Sequence, residues 1–172
     1  PALTMRLFSE ESKSGSMETL MTLPVNEVHV VTGKYLASFL STLIMISPSI
    51  FYVITTAIFG DPDVGPIIGG YIGTIFLCAG FTAVGVFASS VTKNQIIAFF
   101  TGFIICIALT MIDTFLVFLP SNIVEFVSYI SADMHFRSIT QGIIDSRDLV
   151  YFITVFALFF TATIKVQQNA KK

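Results

Sequence analysis

Four long runs of apolar residues constrain this chain more than any other feature. A helix rises about 1.5 Å per residue and the hydrocarbon core of a bilayer is about 30 Å thick, so about 20 apolar residues can cross it. Because backbone polar groups inside a bilayer must be satisfied internally, such runs predict helices. The expected fold is an all-α membrane protein, a polytopic bundle with four transmembrane helices. The predicted spans are 35–59, 66–91, 95–119 and 148–165.

Composition agrees with this class and excludes others. Hydrophobic residues make up 54% of the chain and charged residues only 12%, and the mean hydropathy is +0.85. The net charge of −2 and the scattered basic residues argue against nucleic acid as a partner. The lipid bilayer is the partner that composition predicts. Cys78 and Cys106 both fall inside apolar runs, where we expect them to act as small hydrophobic residues and not as metal ligands.

The distribution of Lys and Arg predicts the orientation. Four crossings place the N-terminal segment, the 92–95 connection and the C-terminal tail on one side of the membrane. That side carries seven of the nine basic residues, so the positive-inside rule makes it cytoplasmic. We therefore expect a cytoplasmic connection over 1–34, a transmembrane domain over 35–172, and both ends of the chain in the cytoplasm. The seven residues are Arg6, Lys13, Lys34, Lys93, Lys165, Lys171 and Lys172.

The cytoplasmic connection contains a predicted short amphipathic helix. Its apolar residues recur at helical spacing, Ser14 or Ser16 can cap its start, and Glu18 favours the helix N-terminus. Pro24 would end this helix after two turns, and Asn26 would cap a second helix that continues into the first span. Taken alone, such a helix is either a membrane anchor or an element that transmits force from a docked partner. The apolar strip consists of Met17, Leu20, Met21 and Leu23.

Residue patterns within the spans predict packing features. Pro48 lacks a backbone donor and predicts a kink in the first span. Gly65, Gly69 and Gly73 recur every four residues, which forms a strip where another helix can approach closely. Asp113 is the only acidic residue inside a predicted span, apart from Asp148, which starts the last span and can lie at the membrane interface. It is either a bundle-facing acid bonded to a neighbouring threonine or a site for transport or proton relay.

The segment 120–147 follows the third span and is predicted to be external. Its apolar residues repeat at helical spacing in two groups, each too short to cross a bilayer. We expect two interfacial or re-entrant helices, broken near 131–133, the second ended by Gly142. The first group is Ile123, Phe126, Val127 and Ile130, and the second is Phe136, Ile139 and Ile143.

Motifs for covalent chemistry are absent from the sequence. There is no HExxH pattern and no GxxxxGK[ST] phosphate loop, so the sequence predicts neither a metalloprotease nor a chain that binds ATP by that loop. His135 and His29 lie on opposite predicted sides and cannot share a metal. We therefore expect a protein that is not an enzyme and binds no cofactor or metal. The alternative of an intramembrane enzyme would require Asp113 and His135 to converge on a metal.

The stretch "LTMRLFSEESKSGSMETLMTLPVNEVHVVTGKYLA" resembles the cytoplasmic connection of ABC-2 type transporter permeases, most closely the gliding-motility-type permeases of bacteria. "HFRSITQGIIDSRDLVYFITVFALFF" resembles their last external segment and final helix. That family usually has six spans. The resemblance, the lack of an initiator Met and the apparent span exit "PALTMRLF" suggest a fragment with the third to sixth spans.

The resemblance implies a site and partners. The connection is the element that meets a separate ABC ATPase subunit in that family, so the resemblance implies the same role here. It also implies a second permease subunit, ATP and magnesium held by the ATPase, and location in the bacterial inner membrane. The implied contact residues are Glu10, Glu11, Lys13, Gly15, Met17, Glu18, Leu20, Met21, Leu23 and Pro24.

The function predicted on this basis is the permease subunit of an ABC-2 type ATP-driven exporter. The alternative is a non-transporting membrane scaffold or signalling anchor, which would explain why the spans carry so few polar groups. Apolar spans do not encode cargo in a readable pattern, so gliding machinery, lipid, polysaccharide and peptide export all stay open.

Overall fold

A computed structural model of the chain describes residues 1–16, 26–114, 129–142 and 145–170, and every regular element in these ranges is a helix. The all-helical fold agrees with the sequence prediction. A short 3-10 helix, Ser47–Ser49, separates the second and third α-helices. The α-helices are α1 (Ser9–Ser14), α2 (Glu27–Ile46), α3 (Ile50–Phe59), α4 (Val64–Val91), α5 (Gln95–Met111), α6 (Ala132–Thr140) and α7 (Ser146–Ala170).

Three helical stretches are long and apolar enough to cross a membrane. They are Glu27–Phe59, which joins α2 and α3, then α4, and then Ser146–Asn169 of α7. In the third predicted span, the described residues 95–114 are α-helical over the 17 residues of α5, and residues 115–119 lie outside the described residues. The last predicted span, 148–165, lies within α7, which continues past the end of the apolar run into polar residues.

Local sequence signals explain several helix boundaries. Asn26 caps α2 as predicted, its side-chain oxygen accepting a hydrogen bond from the Val28 amide at 3.0 Å. Asp63 and Asn94 cap α4 and α5 in the same way, at 3.1 and 2.9 Å. The α-helix is interrupted at Pro48, where the 3-10 turn replaces it, because proline cannot donate the i→i−4 hydrogen bond.

Helix α4 is the central element of the bundle and packs against α2, α5, α6 and α7. Half of its most apolar stretch is buried inside the protein, whereas none of the corresponding stretch of α2–α3 is. Its small residues allow this close packing. Gly102 of α5, for example, lies so close that an added methyl group would be 3.3 Å from Ala88 and 3.6 Å from Gly85.

The two ends of α4 contact different parts of the chain. Near its C-terminus, the N-terminal segment packs with residues of α2 and the C-terminal half of α7, including Phe8, Val31 and Ile164. Near its N-terminus, α6 packs between α4 and the start of α7 around Ile139 and Phe152. We call these the α1 end and the α6 end. Which end faces the cytoplasm stays a prediction from charge.

The predicted amphipathic helix over Met17–Leu23 lies outside the described residues. Immediately before it the structure has a helix that the sequence did not predict, α1, which ends at Gly15 with φ +76°. Ser14 is the last residue of α1, and its hydroxyl bonds to the Glu11 carbonyl at 3.2 Å and to Ser16 at 2.9 Å. Of the two predicted caps, Ser14 therefore ends a helix, and a cap at Ser16 stays a prediction.

In the 120–147 segment, the second predicted helix is present as α6. Ser131 caps it, its hydroxyl accepting from the Met134 amide at 3.4 Å, and Gly142 follows its end with φ +84°. The first predicted helix, with Ile123, Phe126 and Val127, lies outside the described residues, as does Ile143 of the second. Ile130 lies in a turn before α6.

Candidate functional site

The N-terminal segment is fixed to α4 by the hydroxyl group of Ser89. This oxygen accepts hydrogen bonds from the backbone amides of Phe8 at 3.0 Å and Ser9 at 3.2 Å, and it donates to the carbonyl of Met5 at 3.0 Å. A serine hydroxyl has one donor and two acceptor positions, so this arrangement uses all three. Ser89 and Phe8 are fully buried. We call this set of contacts the Ser89 clamp.

One turn earlier on α4, Gly85 extends the same contact. A methyl group placed on Gly85 would overlap the hydroxyl of Thr4, which is buried and donates to the Pro1 carbonyl at 3.0 Å. Residues four apart lie on one helix face, so Gly85 and Ser89 form a continuous docking strip. The first residues of the chain therefore sit directly on the backbone of α4.

Lys34 fixes the segment to α2. Its ammonium group lies 2.5 Å from Glu11 Oε2, donates to the Leu7 carbonyl and sits 4.6 Å from the centre of the Phe8 ring. The Lys34 side chain is 17% exposed and the Glu11 side chain 36%, so water screens this ion pair only in part. The ion pair also offsets the cost of burying the Glu11 Oε2 atom, which accepts no hydrogen bond from the described residues. The N-terminal segment is thus held by two helices at once.

Replacing Lys34 with methionine is expected to loosen this attachment. Methionine keeps the apolar stem but loses the ion pair, the hydrogen bond and the contact with the Phe8 ring. We expect amide hydrogen exchange in residues 7–12 to accelerate about 30-fold, equivalent to about 2 kcal/mol of local stability. Mass spectrometry of protein in nanodiscs measures this. Lys13→Met is the matched control because Lys13 is exposed, and equal acceleration in both variants would contradict the assignment.

The predicted ATPase-contact residues divide into three groups. Glu10, Lys13 and Gly15 lie exposed on or just after α1, whereas Glu11 forms an ion pair with Lys34. Gly15 ends α1 in a left-handed conformation that favours glycine. The remaining predicted residues, Met17, Glu18, Leu20, Met21, Leu23 and Pro24, lie outside the described residues.

Asp113 is not in the middle of a helix in the structure. Helix α5 ends at Met111, and Asp113 lies half-buried in the turn that follows. Across the described ranges, no group of three or more His, Cys, Asp or Glu side chains is arranged to hold a metal ion. Neither observation assigns a role to Asp113.

The α6 end contains the second close attachment to α4. A methyl group on Gly69 would overlap the carbonyl oxygen of Ile139, and one on Gly73 would lie 3.3 Å from the side chains of Ile139 and Phe136. Gly142 in turn lies against Gly65. The predicted glycine strip therefore receives a helix, and that helix is α6.

His135 joins α6 to α7. Its Nδ1 lies 2.6 Å from Asp148 Oδ1, its Nε2 lies 3.1 Å from the Tyr129 carbonyl oxygen, and its ring stacks on Tyr151 with centroids 4.3 Å apart. Tyr151 donates to the Ile130 carbonyl at 2.7 Å. We call these contacts the His135 latch. The sequence prediction noted His135 and Asp148 separately and did not pair them.

These features define a class of protein: a multi-pass helical membrane protein with a polar N-terminal segment clamped to two apolar helices. The family model described as "ABC-2 family transporter protein" matches residues 2–165, so the chain belongs to the ABC-2 transporter family. It is a permease component of an ABC transporter, a class that works with a partner ATPase subunit. No curated protein and no solved structure matched the chain. The family match does not bear out the gliding-motility group, which stays a prediction.

Proposed function

We propose that this chain couples ATP hydrolysis in a separate ATPase subunit to export across the bacterial inner membrane. In this proposal the ATPase docks on α1 and on residues 17–24 at the α1 end, which faces the cytoplasm. The single observation that carries it is the attachment of the N-terminal segment to both α2 and α4. A force applied to α1 would reach two membrane helices through buried hydrogen bonds and an ion pair.

The proposed mechanism is a shift between two arrangements of the bundle. ATP binding would close the ATPase pair and displace α1, and the displacement would favour an arrangement of the helices that opens outward. Only a difference in ATPase affinity between the two arrangements can drive such a change. ATP and magnesium would be held by the ATPase, and this chain would pair with a second permease subunit. Four spans, with α5 as part of the third, complete the proposed topology.

The proposal is tested with the partner ABC ATPase subunit. Reversing the charge of the exposed Glu10, as Glu10→Lys, should weaken ATPase binding about tenfold without disturbing the clamp, because rim charges contribute modestly at interfaces. Leu20→Asp should abolish binding if the predicted apolar strip enters the ATPase surface. Asp61→Lys is the matched control, since Asp61 is an exposed acid in the loop before α4. Binding is measured by titrating the ATPase onto permease in nanodiscs.

Equal ATPase affinity of Glu10→Lys, Leu20→Asp and the parent would overturn the docking assignment. The scaffold alternative makes a different prediction. A scaffold would bind its partner but would show no ATP-dependent change in the accessibility of the bundle, which cysteine labelling at the α6 end would reveal.

A further inference from the structure

Both ring nitrogens of His135 face hydrogen-bond acceptors. The Tyr129 carbonyl can only accept a hydrogen bond, so the facing Nε2 must carry a proton. Nδ1 lies 2.6 Å from the Asp148 carboxylate, a distance at which two bare lone pairs would repel each other. A proton must therefore lie between these two atoms as well. A neutral imidazole beside a carboxylate has only one proton for these two contacts.

We propose that His135 and Asp148 form a proton-binding site at the α6 end of the bundle. The site holds one bound proton, as an imidazolium–carboxylate pair, and this proton keeps α6 attached to α7. Without it one ring nitrogen would be bare, and one of the two contacts would bring two acceptors together. The latch would then be weakened on that side.

The surroundings of the pair favour this protonation. Asp148 is 5% exposed, and its Oδ2 accepts no hydrogen bond from any described residue. A buried carboxylate with one unsatisfied oxygen is costly, and a directly bonded cation reduces that cost. The parts of α4 and α5 packed nearby contribute Ile72, Phe76 and Leu109, which are apolar. They supply no charge that would replace the proton.

A cavity of 310 Å³ beside the pair gives the proton a route to water. Three contacts involve the other polar groups near the latch. Asp133 and Arg137 of α6 pair with each other at 2.6 Å, Asp145 accepts from the backbone amide of Arg147 at 3.1 Å, and Tyr151 donates a hydrogen bond to a carbonyl. Besides the pair itself, the cavity is lined by Tyr129, Met134, Ser138, Asp145 and Arg147.

Nitrogen-15 NMR of the histidine rings tests the proton count directly. The chain has only two histidines, so a His29→Gln variant leaves His135 as the single signal. We expect both ring nitrogens of His135 to be protonated in nanodiscs, because each faces a hydrogen-bond acceptor, and expect this signature to be lost in Asp148→Asn. A bare Nδ1 or Nε2 in the parent would overturn the proposal.

Amide exchange in α6 tests the consequence for the latch. Asp148→Asn removes the carboxylate partner of the bound proton, so amide exchange in residues 132–140 should accelerate about tenfold. Asp145→Asn, in the same cavity but outside the pair, should leave this exchange unchanged. Equal exchange in the parent and in Asp148→Asn would overturn the proposal. Neither measurement involves the ATPase, so both are independent of the proposed function.

Discussion

Replacing Ser89 with alanine is expected to release the N-terminal segment from α4. The substitution removes the acceptor of two buried amides, those of Phe8 and Ser9, and the donor to the Met5 carbonyl. The Met5 carbonyl still accepts from the Ser9 hydroxyl, but each buried amide left without a partner costs about 1–3 kcal/mol, so a total of about 3–5 kcal/mol is expected for the two amides. Amide exchange in residues 5–12 should therefore accelerate more than about 100-fold. Mass spectrometry of the protein in nanodiscs measures this change.

The neighbouring serine provides the control. Ser90 is half-buried, and among the described residues its hydroxyl bonds only to the Phe87 carbonyl of its own helix, at 2.7 Å. Ser90→Ala should therefore leave exchange in the N-terminal segment unchanged. In the proposed mechanism Ser89→Ala has a second effect. The ATPase should still bind, because exposed Glu10 is untouched, but ATP should no longer change accessibility at the α6 end. Parent-like exchange in Ser89→Ala would show that the clamp does not hold the segment.

Features set by local sequence could be predicted. The cap at Asn26, the interruption at Pro48 and the helix that became α6 each depend on residues within a few positions of one another. The glycine strip also predicted a close approach, because a spacing of four places Gly65, Gly69 and Gly73 on one face. The identity of the approaching helix was not predictable from that spacing.

Contacts between distant residues could not be predicted. Ser89 lies 81 residues from Phe8 along the chain, and a serine near the end of an apolar run commonly bonds to its own helix. The sequence placed Lys34 among the cytoplasmic charges that set the orientation. In the structure Lys34 forms an ion pair with Glu11, a residue that the family resemblance assigned to the ATPase contact. His135 and Asp148 meet because the chain turns back between α6 and α7. A single sequence contains no signal that pairs these residues.

The arrangement of contacts along α4 links the two ends of the protein. Gly69 and Ser89 are separated by 20 helical residues, which corresponds to about 30 Å, the thickness of the hydrocarbon core. One helix therefore receives the N-terminal segment at one side of the predicted membrane and α6 at the other. In the proposed mechanism α4 carries the displacement of α1 to α6, which makes the contact at Gly69 as necessary as the clamp at Ser89.

Gly69→Ala is expected to displace α6. The new methyl group would overlap the backbone carbonyl of Ile139, which cannot rotate away as a side chain would. Overpacking of this kind costs about 1–3 kcal/mol, whereas the higher helix propensity of alanine returns at most about 1 kcal/mol. We expect a lower thermal midpoint in detergent and about tenfold faster amide exchange over residues 132–142.

Gly70→Ala is the matched control, because a methyl group at Gly70 meets nothing within 4 Å and gains the same helix propensity. Its stability should equal or slightly exceed that of the parent. Gly73→Ala should fall between the two, since its neighbours at 3.3 Å are side-chain atoms that can shift. This order separates steric displacement of α6 from a general effect of alanine in the helix. If Gly69→Ala and Gly70→Ala behaved alike, the contact between α4 and α6 could not transmit a displacement, and ATP-driven opening at this end would need another route.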